Sequence, residues 1–66
     1  MSILLNGTAY ELSSSCTLLA LIENLGIVSK AMAIAINSQV IKKSLWGDYV
    51  LRDGDEVEIL DFVGGG

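Results

Sequence analysis

Histidine and proline are absent from these 66 residues, and cysteine occurs once, at Cys16. Without histidine the chain lacks the usual general base of Ser-His and Cys-His catalysis, and with a single thiol it cannot build a Cys/His zinc site. A lone cysteine also excludes a disulfide framework. Basic residues are few: four stand against eight acidic ones, a net charge of −4. Binding nucleic acid demands lysine and arginine to neutralise phosphate, so a basic protein surface is the better partner. Long apolar runs are missing as well. "AMAIAI" is too short to cross a bilayer, and "MSILLNG" has neither the positive region nor the apolar length of a signal peptide. A cytoplasmic chain with no membrane contact is expected. No Pro/Gly/Ser-rich linker, repeat or low-complexity segment divides it, and its length allows one domain without an enclosed catalytic cleft. Such a chain reads as something acted upon rather than an enzyme.

What is abundant is apolar side chain, 52% of residues, which is high for a domain with so much surface for its volume. Some of it must lie outside the core, as a contact surface. The clearest local signal is Asn6-Gly7 between residues 3–5 and 8–12, a dipeptide that tolerates positive φ at both centres of a type I′ turn and predicts a hairpin. Leu18, Leu21, Ile22 and Leu25 then fall at i, i+3, i+4 and i+7, one stripe of a helix of two to three turns. Thr17 or Ser15 is placed to cap it, and Gly26 to end it. Alternation over residues 31–36 predicts a third strand, with Met32, Ile34 and Ile36 on one face and Ala31, Ala33 and Ala35 on the other. Asn37-Ser38 turns the chain into a short strand at 39–41. Leu45 and Trp46 are expected to plug one edge of the core, and residues 49–51 to add a little extended structure. Asp53-Gly54-Asp55 is a turn before a last strand at 56–62.

The order is hairpin, helix, two or more strands, and a final strand near the end of the sequence. A mixed four- to five-stranded sheet packed on one main helix satisfies it: an α+β fold, with the β-grasp arrangement of ubiquitin among the few topologies open. Residues 1–63 form the domain and residues 64–66 a flexible tail. In the last strand Glu56 and Glu58 alternate with Val57 and Ile59, so parity carries Leu60 and Phe62 to the solvent side. With Leu4, Ala33 and Ala35 they are expected to line a docking face. The competing expectation is a bulge near residue 60 that returns Phe62 to the core edge.

Other candidates for chemistry are weaker. Cys16 lies near the helix start, where a thiol pKa is lowered, but with no histidine or second thiol it reads as a packing residue. Asp53, Asp55, Glu56, Glu58 and Asp61 match no metal-loop spacing and read as turn formers and a solvated strand face. Lys42 and Lys43 read as exposed loop charges. Gly64, Gly65 and Gly66 differ: they precede no helix that could hold phosphate and close no turn. They read as a slender arm carrying a carboxylate, reaching on the order of 10 Å at about 3.3 Å per residue, able to thread another protein's active site. A carboxylate is a poor electrophile. Attack on the α-phosphorus of ATP would activate it as an acyl-adenylate, with Mg²⁺, phosphate binding and nucleophile all supplied by the partner.

The segments "ILLNG", "TLLALIENLGI", "AIAIN", "QVIKKSLW" and "LRDGDEVEILDFVGGG" together resemble the ThiS-type sulfur carrier proteins of thiamin biosynthesis, relatives of ubiquitin and of the molybdopterin-synthase small subunit. The resemblance spans essentially the whole chain. It implies that Gly66 is adenylated by a ThiF-type adenylyltransferase using ATP and Mg²⁺, the chain itself holding no cofactor and no metal. Sulfur from a cysteine desulfurase or another persulfide donor then makes a C-terminal thiocarboxylate. In that family thiazole synthase takes the sulfur, building the ring from a pentulose phosphate and an amino-acid-derived imine. By position Gly65 and Gly66 match the reactive end, Gly64 the frequent third glycine, and Leu60 and Phe62 the apolar approach. Cys16 and Asp61 depart from the pattern. The alternatives are a carrier for molybdopterin, cysteine or tRNA thiolation, a ubiquitin-like modifier joined to lysines, and a plain interaction module. The absence of proline before the glycines favours the thiazole role.

Overall fold

The computed structural model describes residues 1–61. Asn6 and Gly7 take φ of 50° and 84°, the paired left-handed conformations of a type I′ turn. They join β1 (Ser2–Leu5) to β2 (Thr8–Glu11) in an antiparallel hairpin. Asn37 and Ser38, with φ of 52° and 71°, make the second tight hairpin, between β3 (Ala31–Ile36) and β4 (Gln39–Ile41). The last strand, β5 (Glu56–Asp61), runs between the two hairpins, parallel to β1 and antiparallel to β3. The result is a five-stranded mixed sheet in the order β2-β1-β5-β3-β4.

One helix, α1 (Leu18–Leu25), covers one face of this sheet. Of the two candidate caps the fold uses Thr17, whose hydroxyl accepts from the Ala20 N–H at 3.1 Å. Ser15 instead donates to the Leu51 carbonyl. At the other end Gly26 has φ 73°, its N–H bonds Glu23 O, and Ile27 N–H bonds Ile22 O. This Schellman pattern satisfies carbonyls that would otherwise be free. Leu18, Leu21 and Ile22 point into a core shared with Ile3, Ile34, Ile36, Val57, Ile59 and Leu51. Each such side chain, fully buried, is worth about 1.5–3 kcal/mol.

Two expectations need correction. Met32 does not share a face with Ile34 and Ile36; it is exposed, and Ala31 is buried in its place. Opposite β5, Ala31 pairs with Asp61 and Ala33 with Leu60, so β3 carries one extra residue there. A one-residue bulge reverses the parity beyond it. Leu45 does not plug the core: it ends a 3₁₀ turn at Lys43–Leu45 and is exposed, whereas Trp46 is buried and donates its Nε1–H to Ile41 O at 3.0 Å. Asp55 closes the expected turn, its N–H bonding Arg52 O at 3.1 Å, and does more than that. It is buried, with one carboxylate oxygen accepting from the Arg52 N–H and the other from Asn37 Nδ2. Residues 49–51 do have extended character, through a bridge from Val50 to Thr17.

Candidate functional site

The sheet face away from α1 carries the candidate site. Along β5, Val57 and Ile59 are buried against the helix side, and Glu56, Glu58 and Leu60 are exposed, the alternation that a strand imposes. Leu60 is 62% exposed, which is unusual for leucine in a strand at the middle of a sheet. Its neighbours explain it. Ala33 lies directly opposite Leu60, and Ala35 opposite Glu58. Methyl side chains give Leu60 nothing tall to lean on, so it stands above a shallow depression lined by Asn6, Ala33, Ala35, Val40, Glu58 and Leu60.

Of the residues proposed from sequence, the fold brings Leu60, Ala33 and Ala35 together and sets Leu4 apart. Leu4 shares the open face but pairs with Glu56, four residues along β5 from Leu60, about 13 Å at roughly 3.3 Å per residue. It lines a separate depression with Gly7, Glu56 and Glu58. Phe62, Gly64, Gly65 and Gly66 lie outside the described residues.

Two members were not anticipated. Val40, 71% exposed, pairs with Ala35 and extends the apolar patch across β4. The two-residue turn at Asn37-Ser38 fixes that register, so the signal was in the sequence. Asn6 reads in sequence only as a turn residue, yet its side chain bonds both backbone groups of Ile59.

The strand positions on this face carry glutamates and no lysine or arginine: Glu11 lies across from Ser2, and Glu56 and Glu58 stand on β5. An apolar patch beside acidic side chains suits a partner with an apolar pocket rimmed by cations. Asp53 and Asp55 serve the fold instead. Asp53 accepts from the Ser2 N–H at 2.7 Å, and among the described residues no three His, Cys, Asp or Glu side chains converge as a metal group. Cys16 is half-buried, packed against the core rather than on the open face.

A five-stranded mixed sheet grasping one helix, its other face open, defines a β-grasp domain of the ubiquitin-like type. A crystal structure of a thiamine biosynthesis protein (ThiS) from Geobacter metallireducens is similar over the whole of both chains, with a TM-score of 0.83 and 26% identity. The family model described as ThiS family matches residues 3–66. Sulfur carrier protein ThiS of Escherichia coli (strain K12) is 30% identical over 66 residues, the full length of both. This chain belongs to the ThiS family. It is also 36% identical over 66 residues to a thiazole synthase of Paramagnetospirillum magneticum (strain ATCC 700264 / AMB-1), of which those residues cover 20%. The chain thus spans about a fifth of the length of the thiazole synthases that it matches.

Proposed function

We propose that this chain is a sulfur carrier for thiazole formation in thiamin biosynthesis, with the Gly66 carboxylate as the carrying group. The observation that carries the reading is the Leu60 patch: an apolar, acid-flanked surface on the strand that leads into the glycine run. In the proposed cycle a ThiF-type adenylyltransferase binds this face, with Phe62 and the more distant Leu4 adding contacts, while Gly64 and Gly65 occupy its channel. A Gly66 carboxylate oxygen attacks the α-phosphorus of ATP with Mg²⁺ from the partner; a new P–O bond forms and pyrophosphate leaves. A persulfide from a cysteine desulfurase or another donor attacks the acyl carbon and AMP departs. A second thiol then reduces the S–S bond, leaving the thiocarboxylate. The chain supplies surface and carboxylate, and the partners supply the catalysis.

The likeness to part of the longer thiazole synthases supports thiazole synthase as the acceptor. Intact mass after coexpression with a ThiF-type enzyme and a desulfurase tests the reading. One sulfur in place of one oxygen is expected. A chain that stays an unmodified carboxylate contradicts it, and higher-mass species with isopeptide bonds indicate a protein modifier.

A further inference from the structure

We propose that Asn6 is a positioning residue for the reaction at Gly66: its side-chain amide anchors β5, the strand that precedes the glycines in sequence, at Ile59. The inference rests on the carrier reading above and gives Asn6, which lines the Leu60 depression, a role beyond docking. β1 pairs with β5 only at Leu4↔Glu56 and Leu5↔Val57. The backbone of Asn6 makes one more bond, its N–H to Val57 O at 2.8 Å, and the hairpin then turns away. Beyond that point the β1 side of β5 would have no partner for Ile59.

The Asn6 side chain takes over there. Its Oδ1 accepts from the Ile59 N–H at 2.7 Å, and its Nδ2 donates to Ile59 O at 3.4 Å. A primary amide carries the same donor and acceptor as a peptide group, so it prolongs the parallel ladder by one step. Across the strand, β3 is bulged between Ala31 and Ala33, opposite Leu60 and Asp61. The amide is therefore the attachment that holds Ile59 on the β1 side, one residue before the pairing with β3 becomes irregular. A carboxylate that must meet an α-phosphorus in line loses rate when its base is displaced.

Asn37 provides an internal control. It is also the first residue of a two-residue turn at positive φ, and its Oδ1 accepts from the Glu56 N–H at 3.0 Å, at the opposite end of the same strand. Asn6→Gly and Asn37→Gly both keep a residue that accepts positive φ and remove only the amide. Asn6→Asp keeps the oxygen that accepts from Ile59.

The test measures pyrophosphate release by a ThiF-type adenylyltransferase with ATP and Mg²⁺, alongside denaturant stability and amide exchange at Ile59. N6G is expected to lose about tenfold or more in kcat/KM, chiefly in kcat, with faster exchange at Ile59. N37G is expected to stay within about twofold at a similar loss of stability, and N6D within about threefold of wild type. Equal losses in N6G and N37G, tracking their stabilities, would overturn the proposal, as would N6D falling as far as N6G. If N6G does not fold, N6D decides: retained rate with Ile59 protected supports the role, and a tenfold loss overturns it. Wild-type chain that releases no pyrophosphate overturns the carrier reading and this one with it.

Discussion

The two faces of the sheet use the same strands for opposite purposes. On the helix side, β5 presents Val57 and Ile59 to a core that also buries Leu18, Leu21, Ile22 and Trp46. On the open side the same strand presents Glu56, Glu58 and Leu60, beside two alanines. Large branched side chains on one face fill space and hold the fold. Small, acidic and isolated apolar ones on the other leave a surface that a second protein can cover. Stability should therefore respond to the first face and partner recognition to the second.

Changes that sharpen this contrast rank by their effect on folding. Trp46→Ala should cost about 3–5 kcal/mol, since it empties a large buried site and also leaves the Ile41 carbonyl without its indole partner; urea unfolding measures it. Asp55→Ala should cost about 1–3 kcal/mol, because the Arg52 N–H and Asn37 amide lose their acceptor. Thr17→Ala should cost about 1 kcal/mol by freeing the Ala20 N–H, read as a lower Tm. Leu60→Asp should move stability by no more than about 0.5 kcal/mol, as surface changes do, yet weaken binding to a ThiF-type enzyme about tenfold or more by calorimetry. A Leu60→Asp chain that unfolds easily but binds normally would erase the distinction between the faces.

Much of this was legible because it is local. Asn6-Gly7, the Leu18 to Leu25 stripe, the Thr17 cap and Gly26 each act within a few residues, and each stands where the sequence put it. The departures come from contacts that no window contains. The extra residue at Met32 exists only relative to β5, so alternation alone placed it inward. Asp55 looks like a turn carboxylate until Asn37, 18 positions away, reaches it. Asn6 looks like a turn residue until Ile59, 53 positions away, occupies its amide. In the site, parity found Leu60 and the alanines. It could not show that Leu4 pairs at the far end of β5, because only the β1–β5 register sets that distance.

The proposed carrier role places sulfur at Gly66 and nowhere else, although the chain also holds one thiol at Cys16. Fragmentation mass spectrometry of chain purified after coexpression with a ThiF-type enzyme and a desulfurase locates it directly. A single sulfur replacing an oxygen in the C-terminal fragment is the predicted result. Sulfur added at Cys16 with Gly66 left as a plain carboxylate would contradict it.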